Sequence, residues 1–162
     1  MPRFASALAL PEQGSPGNPP SGFVALFAKV GGALWVRTAA GVERLVEPGI
    51  LFPFSRAGNL AVLTGTHRLY NDTGIALTIK AVRASVGTAP TGAAIVVDVR
   101  VSGTTIYSVP GNRPTIPAAG NTSGKNTAFT TTTIPDGGWF TIDIVQVGST
   151  VAGADLTVQI LC

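Results

Sequence analysis

The residues that could carry out chemistry are few, and they lie far apart along the chain. His67 is the single histidine and sits in an alternating stretch, Thr66-His67-Arg68-Leu69-Tyr70. A nucleophilic serine or cysteine needs a base with both of its partners in reach. Cys162 is the last residue, however, and no Gly-x-Ser-x-Gly turn occurs. Three carboxylates, Asp98, Asp143 and Asp155, fall in or near apolar strands. A pair of them could in principle split a glycoside, with one acting as acid and the other as nucleophile or base. Asp98 interrupts Val96-Val97-Asp98-Val99, and Asp143 interrupts Thr141-Ile142-Asp143-Ile144. A carboxylate in such a run either faces solvent from the polar side of its strand or is buried and paired. Alternation favours solvent, because Asp98 lies opposite Val97 and Val99, and Asp143 opposite Ile142 and Ile144. The dense Asp/Asn/Gly spacing of a calcium loop is missing as well. The expectation is a protein that is not an enzyme and has no cofactor.

Two other groups invite a binding role. Trp35 and Trp139 are candidates for stacking on sugars, since an exposed indole offers a flat apolar face, although a place in the core or an interface would use them equally well. Phe4, Leu8 and Leu10 alternate with small residues ahead of a Pro/Gly-rich stretch and are candidates for docking onto a partner. The pairs Gly31-Gly32 and Gly137-Gly138 read as turns rather than phosphate cradles.

Composition sets the frame for these residues. Of 162 residues, 45% are hydrophobic and only 12% charged, about half the usual charged share. A monomer normally covers itself with more charge, so part of the surface is expected to meet a neighbour. Net charge is +3, from 11 basic and 8 acidic residues. The basic residues are scattered singly, without the clustered stripe that nucleic acid requires. No apolar run approaches the roughly 20 residues of a membrane span. Residues 1–10 lack the apolar core of a signal peptide, so synthesis in a cytoplasm without export is expected. A lone cysteine allows no internal disulfide.

Turn signals divide the chain. Residues 11–22, PEQGSPGNPPSG, cannot hold a helix or a central strand, so residues 1–22 read as an extended arm and linker. Residues 23–58 read as a short β-meander, with strands over 23–30, 33–37 and 42–46, too small to stand alone. Residues 59–162 carry longer alternating strands, including 66–70, 75–86, 94–101, 104–109, 129–134, 139–147 and 156–161. In the strand over 75–86, Ile75, Leu77 and Ile79 should face the core, with Thr78 and Lys80 outside. Helical periodicity is limited to a turn or two. The fold class is all-β: a jelly-roll-like antiparallel β-sandwich with an N-terminal extended arm and a short β-meander.

Some segments are more specific than their composition. Val82-Arg83-Ala84-Ser85-Val86-Gly87-Thr88-Ala89-Pro90-Thr91-Gly92 leads into Val96-Val97-Asp98-Val99, followed by Gly103-Thr104-Thr105-Ile106-Tyr107 and Asn112-Arg113-Pro114-Thr115-Ile116. Val147-Gly148-Ser149-Thr150-Val151-Ala152-Gly153-Ala154-Asp155-Leu156-Thr157-Val158 ends the series. In that order, over about residues 64–161, it resembles a domain near the C-terminus of bacteriophage minor tail proteins and fibres, often of actinobacteriophages. Upstream, Pro20-Ser21-Gly22-Phe23-Val24-Ala25-Leu26-Phe27-Ala28-Lys29, Gly32-Ala33-Leu34-Trp35-Val36-Arg37 and Gly41-Val42-Glu43-Arg44-Leu45 are similar to a module of tail-fibre stalks that intertwines three chains. Phe27 stands where that module tends to carry Tyr, and Gly31 or Gly32 where it often has Asp.

The resemblance implies a virion structural protein: a homotrimeric fibre or head decoration on the particle surface. It would dock on capsid or tail proteins through the N-terminal arm and aid adhesion to the host. The alternative reading is a carbohydrate-binding module that recognises a host surface glycan.

Overall fold

The computed structural model describes residues 10–29, 34–46 and 49–162. The Gly31-Gly32 turn and the docking candidates Phe4 and Leu8 lie outside the described residues. Two compact units meet at Pro48–Gly49, earlier than the division after residue 58 that the turn signals suggest. The difference is one strand, β4 (Leu51–Asn59), which is hydrogen-bonded along β13 (Ala154–Leu161) and so belongs to the second unit.

The first unit is the expected meander. Strands β1 (Val24–Ala28), β2 (Leu34–Thr38) and β3 (Glu43–Leu45) form an antiparallel sheet in that order. The arm ahead of them is extended, with a parallel bridge from Glu12 to Ala28 and a 2.9 Å bond from the Gln13 N–H to the Ala28 carbonyl.

The second unit is a sandwich of two antiparallel sheets. Its remaining strands are β5 (Leu69–Tyr70), β6 (Leu77–Thr78), β7 (Ala81–Thr88), β8 (Ile95–Val101), β9 (Thr104–Thr105), β10 (Thr115–Ile116), β11 (Thr133–Ile134) and β12 (Trp139–Gln146). One sheet runs β4-β13-β7 and is extended by residues 121–126, which bridge to β7 at Val82–Asn126 and Ser85–Thr122. The other runs β5-β12-β8-β10, with a further bridge from Leu63 to Ile144. Numbered one to eight along the chain and without the short side strands, the sheets read 1-8-3-6 and 2-7-4-5. This interleaving of two Greek keys is a jelly roll. Alternation fills its core: Val97, Val99, Phe140, Ile142 and Ile144 on one sheet meet Val82, Ala84, Val158 and Ile160 on the other. Phe52 and Phe140 touch across the gap edge to face, with centroids 5.1 Å apart.

Turn chemistry fixes the register. Between β8 and β9, Ser102 (φ 49°) and Gly103 (φ 88°) are both left-handed, as a two-residue hairpin turn of matching twist demands. Asn71 is fully buried and ties two turns together. Its Nδ2 donates to the carbonyls of Ile75 and Pro135, and its Oδ1 accepts from the Thr73 hydroxyl. Strand β4 has no partner on its outer edge among the described residues. Ile50 and Cys162 exchange both backbone bonds, so positions 52, 54 and 56 point toward β13 while 51, 53 and 55 point outward. Pro53 therefore occupies an outward position, where its missing N–H removes a donor from the free edge.

Several expected strands are shorter in the structure. The run over 75–86 is two strands, not one. Residues 77–78 pair with β11 in a small ribbon, and the chain enters the other sheet where Lys80 N–H donates to the Leu161 carbonyl. The buried set changes parity at that point, from Leu77 and Ile79 to Val82, Ala84 and Val86. Ile75, expected in the core, is 63% exposed, because it precedes the ribbon in the turn held by Asn71. Thr78 and Lys80 are exposed, as expected. The segments over 66–70, 104–109 and 129–134 likewise keep only two ladder residues each.

Leu77→Ala should therefore destabilise the protein by about 2–5 kcal/mol through lost burial and a cavity. Ile75→Ala and Thr78→Ala should each cost under about 0.5 kcal/mol. Thermal melts at fixed protein concentration check this ordering, and a larger loss for Ile75→Ala would contradict the break before β7.

Candidate functional site

Asp98 and Asp143 sit directly opposite each other on neighbouring strands, on the face of the sheet turned away from the core. Alternation assigned the face correctly but the solvation wrongly. Asp98 is fully buried and Asp143 only 6% exposed. Asp98 Oδ1 accepts from the Thr105 hydroxyl at 2.6 Å, and Oδ2 from Arg113 Nη2 at 3.1 Å. Asp143 Oδ2 accepts from Arg100 Nε at 2.6 Å, and Oδ1 from the Gly65 N–H at 2.9 Å. The bond to Asp143 raises the Arg100 pKa above its ordinary value, so that guanidinium stays charged. Two carboxylates so close repel unless cations lie between them. Arg100, two residues from Asp98, and Arg113, placed by the turn at Pro110–Asn112, supply those cations. All four carboxylate oxygens accept a hydrogen bond from the protein. The cluster is an electrostatic clamp.

The clamp shapes a cleft beside it. Between its two contacts with β12, at Leu63–Ile144 and Leu69–Phe140, the chain leaves the ladder over residues 64–68. The Gly65 N–H goes to the Asp143 carboxylate instead of a strand partner. Only glycine fits there, since a Cβ would lie 1.9 Å from the Ile142 carbonyl oxygen. The bowed segment opens a cleft of about 170 Å³ toward β4. Its floor is apolar, formed by Phe54, Leu63, Ile142, Ile144, Leu156 and Val158. Arg56, His67 and the hydroxyl residues Ser55, Thr64 and Thr66 complete the lining, which contains no carboxylate. Arg56 lies on the same side of β4 as Phe52 and Phe54, one repeat beyond the packed core. Sequence reading met His67 as an isolated histidine and did not meet Arg56, because the cleft joins segments about 90 residues apart in the chain.

The two tryptophans have cations on their faces. Arg68 stacks over Trp139 at 4.7 Å, and Tyr70, paired directly opposite, lies 5.8 Å from the Trp139 ring. Tyr70 is 46% exposed and Trp139 half-buried. In the first unit, Lys29 Nζ lies 4.0 Å from the Trp35 ring centroid and makes a 2.7 Å ion pair with Glu43, which Arg37 also binds at 2.7 Å. Leu10 is half-buried at the start of the arm.

The meander sheet has two unlike faces. Ala25, Phe27, Trp35, Arg37 and Glu43 share one, where Phe27 is 1% exposed and the ion pairs gather. Val24, Leu26, Val36, Arg44 and the flanking Val42 and Val46 share the other. On that second face Val24, Leu26, Val42 and Val46 are 63%, 47%, 49% and 44% exposed. These four aliphatic side chains, with Arg44 among them, make up the exposed apolar side of the sheet.

Cys162 is buried, and burial pushes its thiol pKa up to about 11, which suppresses the reactive thiolate. Among the described residues no cluster of three His, Cys, Asp or Glu side chains could hold a metal, and no helix is long and apolar enough to cross a membrane. No protein-family profile, curated protein or solved structure matches the chain.

Glu43 gives the first unit a pH dependence. Hydrogen bonds from Lys29, then Ser15 and Arg37, lower its pKa from 4.5 to about 2 against a smaller opposing effect of burial. A depressed carboxylate contributes stability above its unfolded value and loses it as pH falls toward the folded one. Acidification from pH 4.5 to 2 should therefore free Lys29 from Glu43 and alter Trp35 fluorescence, read in a Trp139→Phe background. Glu43→Gln should remove that transition, and its persistence would assign the change to another group.

Proposed function

We propose that this chain is a structural protein of a bacteriophage particle, a homotrimeric fibre or head decoration displayed on the virion surface, and that it has no enzymatic activity. The observation that carries this reading is the apolar face of the β1–β3 sheet, with four large side chains 44–63% exposed. Completing the burial of each contributes about 1 kcal/mol, so one copy gains little alone but a closed ring of copies gains several-fold more. The face coincides with the segment that resembles the three-chain stalk module. The jelly roll and the low charged fraction, 12%, suit a crowded assembly. Engagement of every Asp98 and Asp143 oxygen supports the reading that the chain is not a glycosidase. Docking on other virion proteins is assigned to the arm that holds Phe4, Leu8 and Leu10.

Light scattering on the purified protein should give three times the 16.5 kDa chain mass. Leu26→Glu, which places a charge on the apolar face without touching the sandwich core, should give monomers and should disappear from purified particles. A wild-type monomer at micromolar concentration would refute the trimer, and normal incorporation of a monomeric variant would separate assembly from display.

A second reading, recognition of a host surface glycan, is favoured by one observation: Tyr70 is exposed and lies beside Trp139, the two rings tilted by 50°. Glycan-array binding that is lost in Tyr70→Ala and kept in Trp35→Phe would support it. Equal binding by both variants would remove the Tyr70–Trp139 pair as the sugar platform.

A further inference from the structure

We propose that the cleft between β4 and residues 64–68 binds a small organic acid, with the apolar body on the cleft floor and the carboxylate at Arg56 and His67. The inference goes beyond the particle role and does not depend on it. The cavity, about 170 Å³, matches the roughly 150 Å³ apolar space that admits a benzene ring. Its floor is aliphatic and aromatic, and cannot satisfy the many hydroxyls of a sugar ring. Its remaining lining has Arg56, His67 and three hydroxyl side chains but no carboxylate, so the field and the donors both select an anion.

Arg56 has a structural explanation, since an inward-facing charge on an edge strand discourages strand addition. That role needs only a charge on the edge. It does not account for a formed cleft beneath it, nor for hydroxyls and an imidazole arranged around the same opening. The cleft is also preformed. Its outer wall is held by the Gly65 bond to the buried Asp143, so binding need not order a loop.

The probe is 3-phenylpropanoate, titrated calorimetrically into the full-length protein alongside the neutral amide 3-phenylpropanamide and the truncated acid propanoate. The expected result is one site per chain, with a dissociation constant on the order of 0.1–1 mM for the aromatic acid. The amide should bind at least about tenfold more weakly through loss of the charge-assisted contact, and propanoate through loss of the apolar body. Arg56→Met, at an exposed position, should melt like wild type and bind acid and amide alike. Leu63→Phe should fill the floor and weaken both. A crystal soaked with the acid should show its ring against Ile142 and Ile144. Equal wild-type binding of acid and amide, unchanged acid binding in Arg56→Met, or a second copy's side chain seated in the cleft would each overturn the proposal.

Discussion

The carboxylate of Asp143 stands at the point where the sandwich's charge balance and its shape meet. It lies on the outward face of a central strand, yet it is nearly inaccessible, so it requires partners on the protein itself. One oxygen takes Arg100, which also approaches the opposing Asp98 at 3.8 Å. The other takes the backbone of Gly65, and that bond draws the edge segment out of the ladder. A single buried charge thus holds Arg100 between the two carboxylates and the Gly65 backbone at the edge of the cleft. Removing one partner from such a group typically costs 3–5 kcal/mol, because the other is left charged and dry.

The meander works by the opposite balance. One face of its sheet is satisfied internally, by Phe27 under the ion pairs of Lys29, Arg37 and Glu43, while the other leaves its apolar residues in water. A three-strand sheet covered on one face has little apolar area to bury. The two units therefore solve the burial problem in different places. The jelly roll fills its own interior, and the small sheet has its unused apolar area outside.

Much of this was legible in the sequence, and what was missed follows a pattern. Periodicity and turn residues identified the all-β class, the three meander strands and the β8–β9 turn at Ser102-Gly103, because these are local properties. The break between β6 and β7 was also written there: the apolar positions move from odd to even between Ile79 and Val82, and a strand changes parity only by a bulge or by leaving its sheet. The burial of Asp98 and Asp143 was less accessible. Alternation names the face a side chain is on but not what covers it, and Arg113 beside Asp98 and the Gly65 backbone beside Asp143 are brought there only by the folded chain. Arg56 was invisible for a related reason. It belongs to a strand that sequence punctuation placed in the wrong unit, and the cleft exists only once that strand lies beside β13.

The proline on β4 bears on how copies of this chain meet. An exposed strand nine residues long would ordinarily serve as a template on which further strands add without limit. With Pro53 at an outward position, the row of free donors is interrupted near its middle, and the continuous ladder that open-ended growth requires cannot form. Pairing of one copy with another edge to edge through β4 is thereby disfavoured. A crowded population of these molecules thus carries a built-in obstacle to growth into fibrils.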